Sequence, residues 1–152
     1  MNPIVEIVFV LVSYLTGSVP FGYLLTKYYT GLNILEMGSG NVGSTNVGRI
    51  AGKKIALITQ LLDMFKGLLP VAFYLFFIDN EIGKFDFTIY YLALAAIIGH
   101  DFSVFLKFKG GKGVNTTLGA SVLLAPFSVF ISVIIYFLVK RQFKYVSLGS
   151  LF

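Results

Sequence analysis

The sequence has no cysteine and no tryptophan, and it has one histidine, His100. The absence of cysteine excludes disulfides, thiolate metal sites and a cysteine nucleophile. A lone histidine excludes a multi-histidine metal centre, and neither metal nor cofactor is expected. Charge is also scarce. Only 12% of the 152 residues are Asp, Glu, Lys or Arg, whereas 57% are hydrophobic. A water-soluble domain carries roughly 25% charged residues, so a chain of mean hydropathy +0.85 is expected to have lipid as its main solvent. What is abundant fits that solvent: 16 Phe and 9 Tyr supply lipid-facing bulk and interfacial anchors. The few charges are unbalanced, with net charge +5. In a membrane protein this excess points to anionic headgroups or an anionic substrate. Nucleic acid is not expected as a partner, because the basic residues are scattered between apolar runs. The first nine residues contain no Lys or Arg, and Glu6 stands where a signal peptide would be positive. With no small-x-small cleavage site ending the run, a retained helix is expected.

A bilayer-spanning helix takes about 20 mainly apolar residues. Four runs approach this, at about residues 4–25, 55–78, 85–99 and 114–139. They predict an all-α, polytopic membrane helix bundle organised as a single membrane domain over residues 1–152. Gly17-Ser18-Val19-Pro20 predicts a kink in the second half of the first span. Asp63 and Lys66 share one face of the second. Charges at that depth pair or face a polar cavity, and an internal pair that fixes helix packing is the plainer reading. The fourth run is long, with Pro126 near its centre. Between the runs lie a long Gly- and Asn-rich loop at 30–54, an acidic connection at 79–86 and a basic segment at 99–113. The positive-inside rule places the basic segments in the cytoplasm and the acidic one outside, with the N-terminus. A single crossing by 114–139 would put Lys140, Arg141 and Lys144 outside. Two half-helices broken at Pro126 would return them to the cytoplasmic side, and this hairpin is expected. No internal repeat is evident.

The candidate chemistry lies in the two long polar segments. The first reads Gly38-Ser39-Gly40-Asn41-Val42-Gly43-Ser44-Thr45-Asn46, then Arg49. Glycines allow positive φ and close backbone approach, and their N–H groups form anion-cradling nests. Ser39, Asn41, Ser44, Thr45 and Asn46 add side-chain donors, and Arg49 offers a planar charged fork suited to phosphate. The bland alternative is a flexible interfacial loop. The second segment reads Gly99-His100-Asp101, then Lys109-Gly110-Gly111-Lys112-Gly113-Val114. Glycines and lysines at a helix start suit an anion; a basic anchor beside the headgroups is the alternative. It is not a P-loop, because Lys112 is followed by Gly113 rather than Ser or Thr. A lone His at a helix end is commonly structural, but His100 adjoins Asp101 and the basic segment, which favours a place in the site. The His-x-x-x-x-Asp pattern of soluble-domain glycerolipid acyltransferases is missing, since residue 105 is Phe, and so is a Gly-x-Ser-x-Gly elbow.

Taken together, Gly-Ser-Gly-Asn-x-Gly-x-Thr-Asn with its Arg, and Gly-His-x-Phe-x-x-Phe-x-x-Phe-Lys-Gly-Gly-Lys-Gly-Val, closely resemble the bacterial acyl-phosphate:glycerol-3-phosphate acyltransferases of the PlsY type. Gly17-Ser18-Val19-Pro20-Phe21-Gly22, Asp63-x-x-Lys66-Gly67 and Tyr145-Val146-Ser147-Leu148 extend the likeness over essentially the whole chain. The resemblance implies a seven-helix membrane fold in the bacterial inner membrane, with its active site open to the cytoplasm. It implies transfer of an acyl group from acyl phosphate to the 1-hydroxyl of glycerol 3-phosphate, giving lysophosphatidic acid for phospholipid synthesis. By the same likeness Ser39, Arg49, His100, Lys109, Lys112 and Ser147 are the expected catalytic residues. Gly38, Gly40, Asn41, Gly43, Thr45, Asn46, Gly110, Gly111 and Gly113 are the expected substrate-binding ones. The chain departs from the family pattern at Asn33 and Leu35 (usually Asp and Arg), Ser44 and Asn115 (commonly Ala), Ser103 (commonly Pro) and Lys144 (usually Arg). The family continues beyond the position of Phe152 with another span and a basic end bearing an active-site His, so a C-terminally truncated member is expected. Two other readings stay open: a small transporter or channel subunit for an anionic solute, and an inactive remnant of the acyltransferase.

Overall fold

The computed structural model describes residues 2–78 and 87–143. Helices α1 (Pro3–Ser18), α2 (Phe21–Thr30), α3 (Ser44–Ile50), α4 (Lys53–Phe77), α5 (Thr88–Asp101), α6 (Val114–Ser121) and α7 (Pro126–Phe143) account for most of them. Short 3-10 turns occupy Ile34–Glu36 and Val104–Leu106. The described residues contain no strand, only an isolated bridge between Ser103 and Lys109.

Proline sets two helix boundaries. The kink expected at Gly17–Pro20 is a full break between α1 and α2. Pro20 has no N–H and pushes Val19 off helical backbone, at φ −58 and ψ 115. At the other end of the chain, residues 114–139 form two helices: α6 stops at Ser121 and Pro126 opens α7, a position where a missing N–H costs nothing. Pro70, by contrast, lies inside an unbroken α4. The long loop expected at 30–54 contains a helix. α3 forms there because Val47 is buried with Ile34, Val42 and Ile55 in a small apolar cluster. Its Gly- and Asn-rich surroundings conceal that apolar residue.

Small residues let the helices cross closely. Gly17 of α1 lies on the Ala96 carbonyl of α5, and Gly99 of α5 lies on the Tyr14 carbonyl. Gly67 of α4 meets the Thr116 carbonyl of α6, and Gly119 of α6 meets that of Met64. A Cβ at any of the four would overlap main chain. Such contacts are typical of helix packing in lipid, where dispersion and hydrogen bonds replace the hydrophobic drive. Ser13 Oγ adds a hydrogen bond to the Leu92 carbonyl at 2.6 Å. The main core gathers Val71, Tyr74, Ile89, Leu92, Ala93 and Ala120, while Leu11, Phe65, Phe76, Phe127 and Phe130 face outward. The segment Pro3–Thr30 and helix Lys53–Phe77 are long and apolar enough to cross a membrane.

Candidate functional site

α4 carries both polar segments. α3 packs against its first turns, with Gly48 beside Ala56, and α6 packs further along at Met64 and Gly67. The first segment is shaped by its own amides. Asn46, 2% exposed, accepts the Ser39 N–H on Oδ1 at 3.1 Å. Its Nδ2 donates to the carbonyls of Met37 at 3.0 Å and Asn41 at 2.9 Å. Asn41 Oδ1 accepts the Gly43 N–H at 2.8 Å. Gly38 has φ 59, and a Cβ there would overlap Asn46 Oδ1; only glycine meets both conditions. The amides of Asn41 and Asn46 are thus engaged in building the loop. Ser39, Thr45 and Arg49 are exposed at its surface.

The second segment is tied down at its base. Ser103 Oγ donates to the Ser18 carbonyl at 2.6 Å and Tyr14 Oη to the Phe102 carbonyl at 2.8 Å, both on α1 or its end. Lys107 and Phe108 follow with φ 55 and 61. These are left-handed values that cost non-glycine residues roughly 1–3 kcal/mol each and concentrate at functional sites. The Phe108 N–H reaches the Ser103 carbonyl at 2.8 Å and holds the turn. The Gly111 N–H then donates to the His100 carbonyl at 3.0 Å. Gly110 and Gly111 lie so close to the His100–Asp101 backbone and the His100 ring that a Cβ at either would overlap them. Gly113, with φ 67, is buried, and a Cβ there would crowd the Asp101 carboxylate. Lys109 and Lys112 are exposed.

Two side chains outside the expected site join the segments. Asn115 Nδ2 donates to Ser44 Oγ at 3.3 Å, linking the first turn of α6 to that of α3. The helices that start after Gly43 and Gly113 therefore meet at their first turns, and the exposed Ser39, Thr45, Arg49, Lys109 and Lys112 belong to adjoining segments. Ser44 is one of the side-chain donors expected in the first segment; no local signal marks Asn115, which shares with Ser44 a departure from a common alanine in the resembled family.

His100 stands behind this surface. It is 6% exposed, and its Nδ1 lies 3.6 Å from Asp63 Oδ1. Asp63 is paired with Lys66 at 3.0 Å, both almost fully buried. Lys66 Nζ also donates to the Val19 carbonyl at 2.8 Å. Beside the second segment an apolar groove of about 320 Å³ is lined by Val19, Pro20, Tyr23, Leu24, Phe105 and Leu106. Among the described residues no group of three or more His, Asp or Glu is arranged to hold a metal. Ser147 and the acidic 79–86 connection lie outside the described residues. The arrangement thus leaves the hydroxyls and cations of two adjoining segments exposed, beside an apolar groove.

Comparison with known proteins points to one family. The family model for glycerol-3-phosphate acyltransferase matches residues 7–152. A glycerol-3-phosphate acyltransferase of Clostridium acetobutylicum is 47% identical over 151 residues, 97% of this chain and 76% of that protein. One from Myxococcus xanthus is 42% identical over 143 residues, 93% of this chain and 72% of that protein. The crystal structure of PlsY, an integral membrane glycerol 3-phosphate acyltransferase in its glycerol 3-phosphate form, superposes with TM-score 0.86 at 35% identity, covering 95% of this chain and 70% of that one. Its lysophosphatidic acid form gives TM-score 0.81.

Proposed function

The chain belongs to the glycerol-3-phosphate acyltransferase family, and from that premise we propose how its residues perform the transfer, from which donor and on which side of the membrane. The protein is an integral membrane acyltransferase of lipid synthesis, with glycerol 3-phosphate as acceptor. Its donor is an acyl phosphate, and the site faces the cytoplasm at the inner membrane. One observation carries the reading: the hydrogen bond between Asn115 and Ser44 joins the two glycine-rich basic segments, so two phosphate-bearing molecules find cations side by side.

Both substrates are anions, and their mutual repulsion is the first obstacle. Arg49, Lys109 and Lys112 offset it, since charge-assisted hydrogen bonds to phosphate are about twice as strong as neutral ones. Ser39 and Thr45 add hydroxyl donors. An acyl phosphate is already activated, so no covalent enzyme intermediate is needed. The 1-hydroxyl oxygen attacks the acyl carbon, the bond from that carbon to the phosphate oxygen breaks, and inorganic phosphate departs. The hydroxyl proton passes to a phosphate oxygen. Holding the reactants in contact supplies much of the acceleration, and cations aimed at the developing negative charge supply more. The acyl tail lies against apolar helix surface. His100 and the glycines packed on it shape the second segment from behind.

The test is direct. Purified protein with palmitoyl phosphate and glycerol 3-phosphate should yield lysophosphatidic acid and inorganic phosphate. Arg49→Ala and Lys112→Ala should each lower kcat/KM by roughly 10²–10³-fold with expression intact, the scale of losing one charge-stabilising donor. Wild-type-like turnover in both variants would remove these residues from the site.

A further inference from the structure

We propose that the buried pair Asp63–Lys66 in α4 positions the second basic segment, acting through His100 to set where Lys109 and Lys112 stand. The pair is an odd thing to find between helices. Taking two charges out of water costs several kcal/mol per ion, and an apolar pair of similar volume commonly serves packing as well or better. Stability alone therefore gives no reason for it, and ionisable residues inside a membrane mark function by default. The connections of this pair run toward the site. Lys66 Nζ holds the Val19 carbonyl at 2.8 Å, where Pro20 breaks the chain between α1 and α2, and lies 5.8 Å from the centre of the Phe21 ring. Asp63 Oδ1 lies 3.6 Å from His100 Nδ1, a buried ring nitrogen without a hydrogen-bond partner. A small rotation of that ring closes the gap.

His100 passes the constraint on. Its carbonyl receives the Gly111 N–H at 3.0 Å, and its Nε2 faces Gly111 so closely that no side chain fits there. Ring and main chain together brace the middle of Lys109-Gly110-Gly111-Lys112. Glycines otherwise leave such a segment free to move. A carboxylate anchored by a lysine fixes the ring in one orientation, and the ring fixes the loop. An apolar pair in place of Asp63 and Lys66 would fill the space without directing the imidazole.

The kinetic part of this inference rests on the acyl-transfer reading; the structural part does not, and the experiment keeps them apart. The full chain in detergent micelles is compared with D63N/K66M, which removes both charges at once and leaves no unpaired ion buried. Amide hydrogen exchange at residues 109–113 should accelerate about tenfold, while exchange in α4 and α5 stays near wild type. KM for glycerol 3-phosphate or acyl phosphate should rise about tenfold with kcat changed less than about threefold, the pattern of lost binding geometry. H100N, which keeps the ion pair, should give the same exchange pattern. Unchanged exchange at 109–113, exchange raised equally through α4 and α5, or a double variant that fails to fold would each overturn the proposal. Loop-confined exchange in a protein that forms no lysophosphatidic acid even as wild type would leave the positioning role standing and remove the acyl-transfer reading.

Discussion

One amide shapes much of the first segment. Asn46 serves an N–H and two carbonyls at once, and leaving such groups unpaired costs roughly 1–3 kcal/mol each. Asn46→Ala should therefore lower stability by roughly 2–4 kcal/mol and weaken substrate binding with it. Asn46→Asp should be no better, because its carboxylate would face the carbonyls of Met37 and Asn41. Thermal unfolding in detergent, paired with KM measurements, checks both. The bond between Ser44 and Asn115 calls for a double-mutant cycle. S44A and N115A should be non-additive in stability, with a coupling of about 0.5–1.5 kcal/mol; full additivity would mean the contact carries nothing. The exposed hydroxyls and cations, Ser39, Thr45, Arg49, Lys109 and Lys112, stand out in the sequence because polar groups amid glycines are rare in so apolar a chain. The amides of Asn41 and Asn46 were visible as polar groups but not as struts. The same side chain serves either purpose, and only the fold shows what it faces. Ser44 and Asn115 were beyond reach as a pair, being far apart in sequence and brought together by the packing of α3 and α6 on α4.

Among the elements, the crossing of α4 and α6 is as exacting as that of α1 and α5. Gly67 and Gly119 each touch a carbonyl of the other helix, so a methyl group at either must push the helices apart. G67A and G119A should each cost about 1–3 kcal/mol by overpacking, read as a lower melting temperature. They should also slow turnover, because α6 carries Asn115. The turn at Lys107 and Phe108 gives the opposite sign. Both hold left-handed backbone, so K107G removes strain and should change stability by about zero to 1 kcal/mol in the favourable direction. A large loss there would mean that the Lys107 side chain, not its backbone, matters. An apolar run announced α4, which is long enough to cross a membrane, and a shorter run announced α5. α3 was hidden because one buried valine on a seven-residue helix makes no periodic signal. The proline positions were legible, but not whether each bends, breaks or is absorbed. The chain breaks at Val19 because Pro20 denies it helical backbone, and Lys66 then takes the Val19 carbonyl, a partner from elsewhere in the chain.

At the scale of the molecule, the distribution of charge and the contact between segments make one joint demand. The contact of Ser44 with Asn115 brings the polar segments 30–54 and 99–113 to one end of the bundle, and the proposed function puts that end in the cytoplasm, as their positive charge predicts. The absence of cysteine makes this simple to examine, since any introduced thiol is unique. Thr45, Lys109 and Asn2 are all exposed. T45C and K109C should react with a membrane-impermeant maleimide only after the cytoplasmic face is opened, and N2C should react in intact cells. Adding glycerol 3-phosphate should slow labelling of T45C and K109C together, since one bound anion screens both segments. If it protects one and leaves the other unaffected at saturation, the two segments do not form a common phosphate site, whatever side they share. The net charge of +5 adds a further consequence. The cations on that face concentrate anionic substrates by long-range attraction, which salt screens beyond about 8 Å at physiological ionic strength. kcat/KM should accordingly fall as salt rises, and fall less in K109A, where part of the attracting field is already gone.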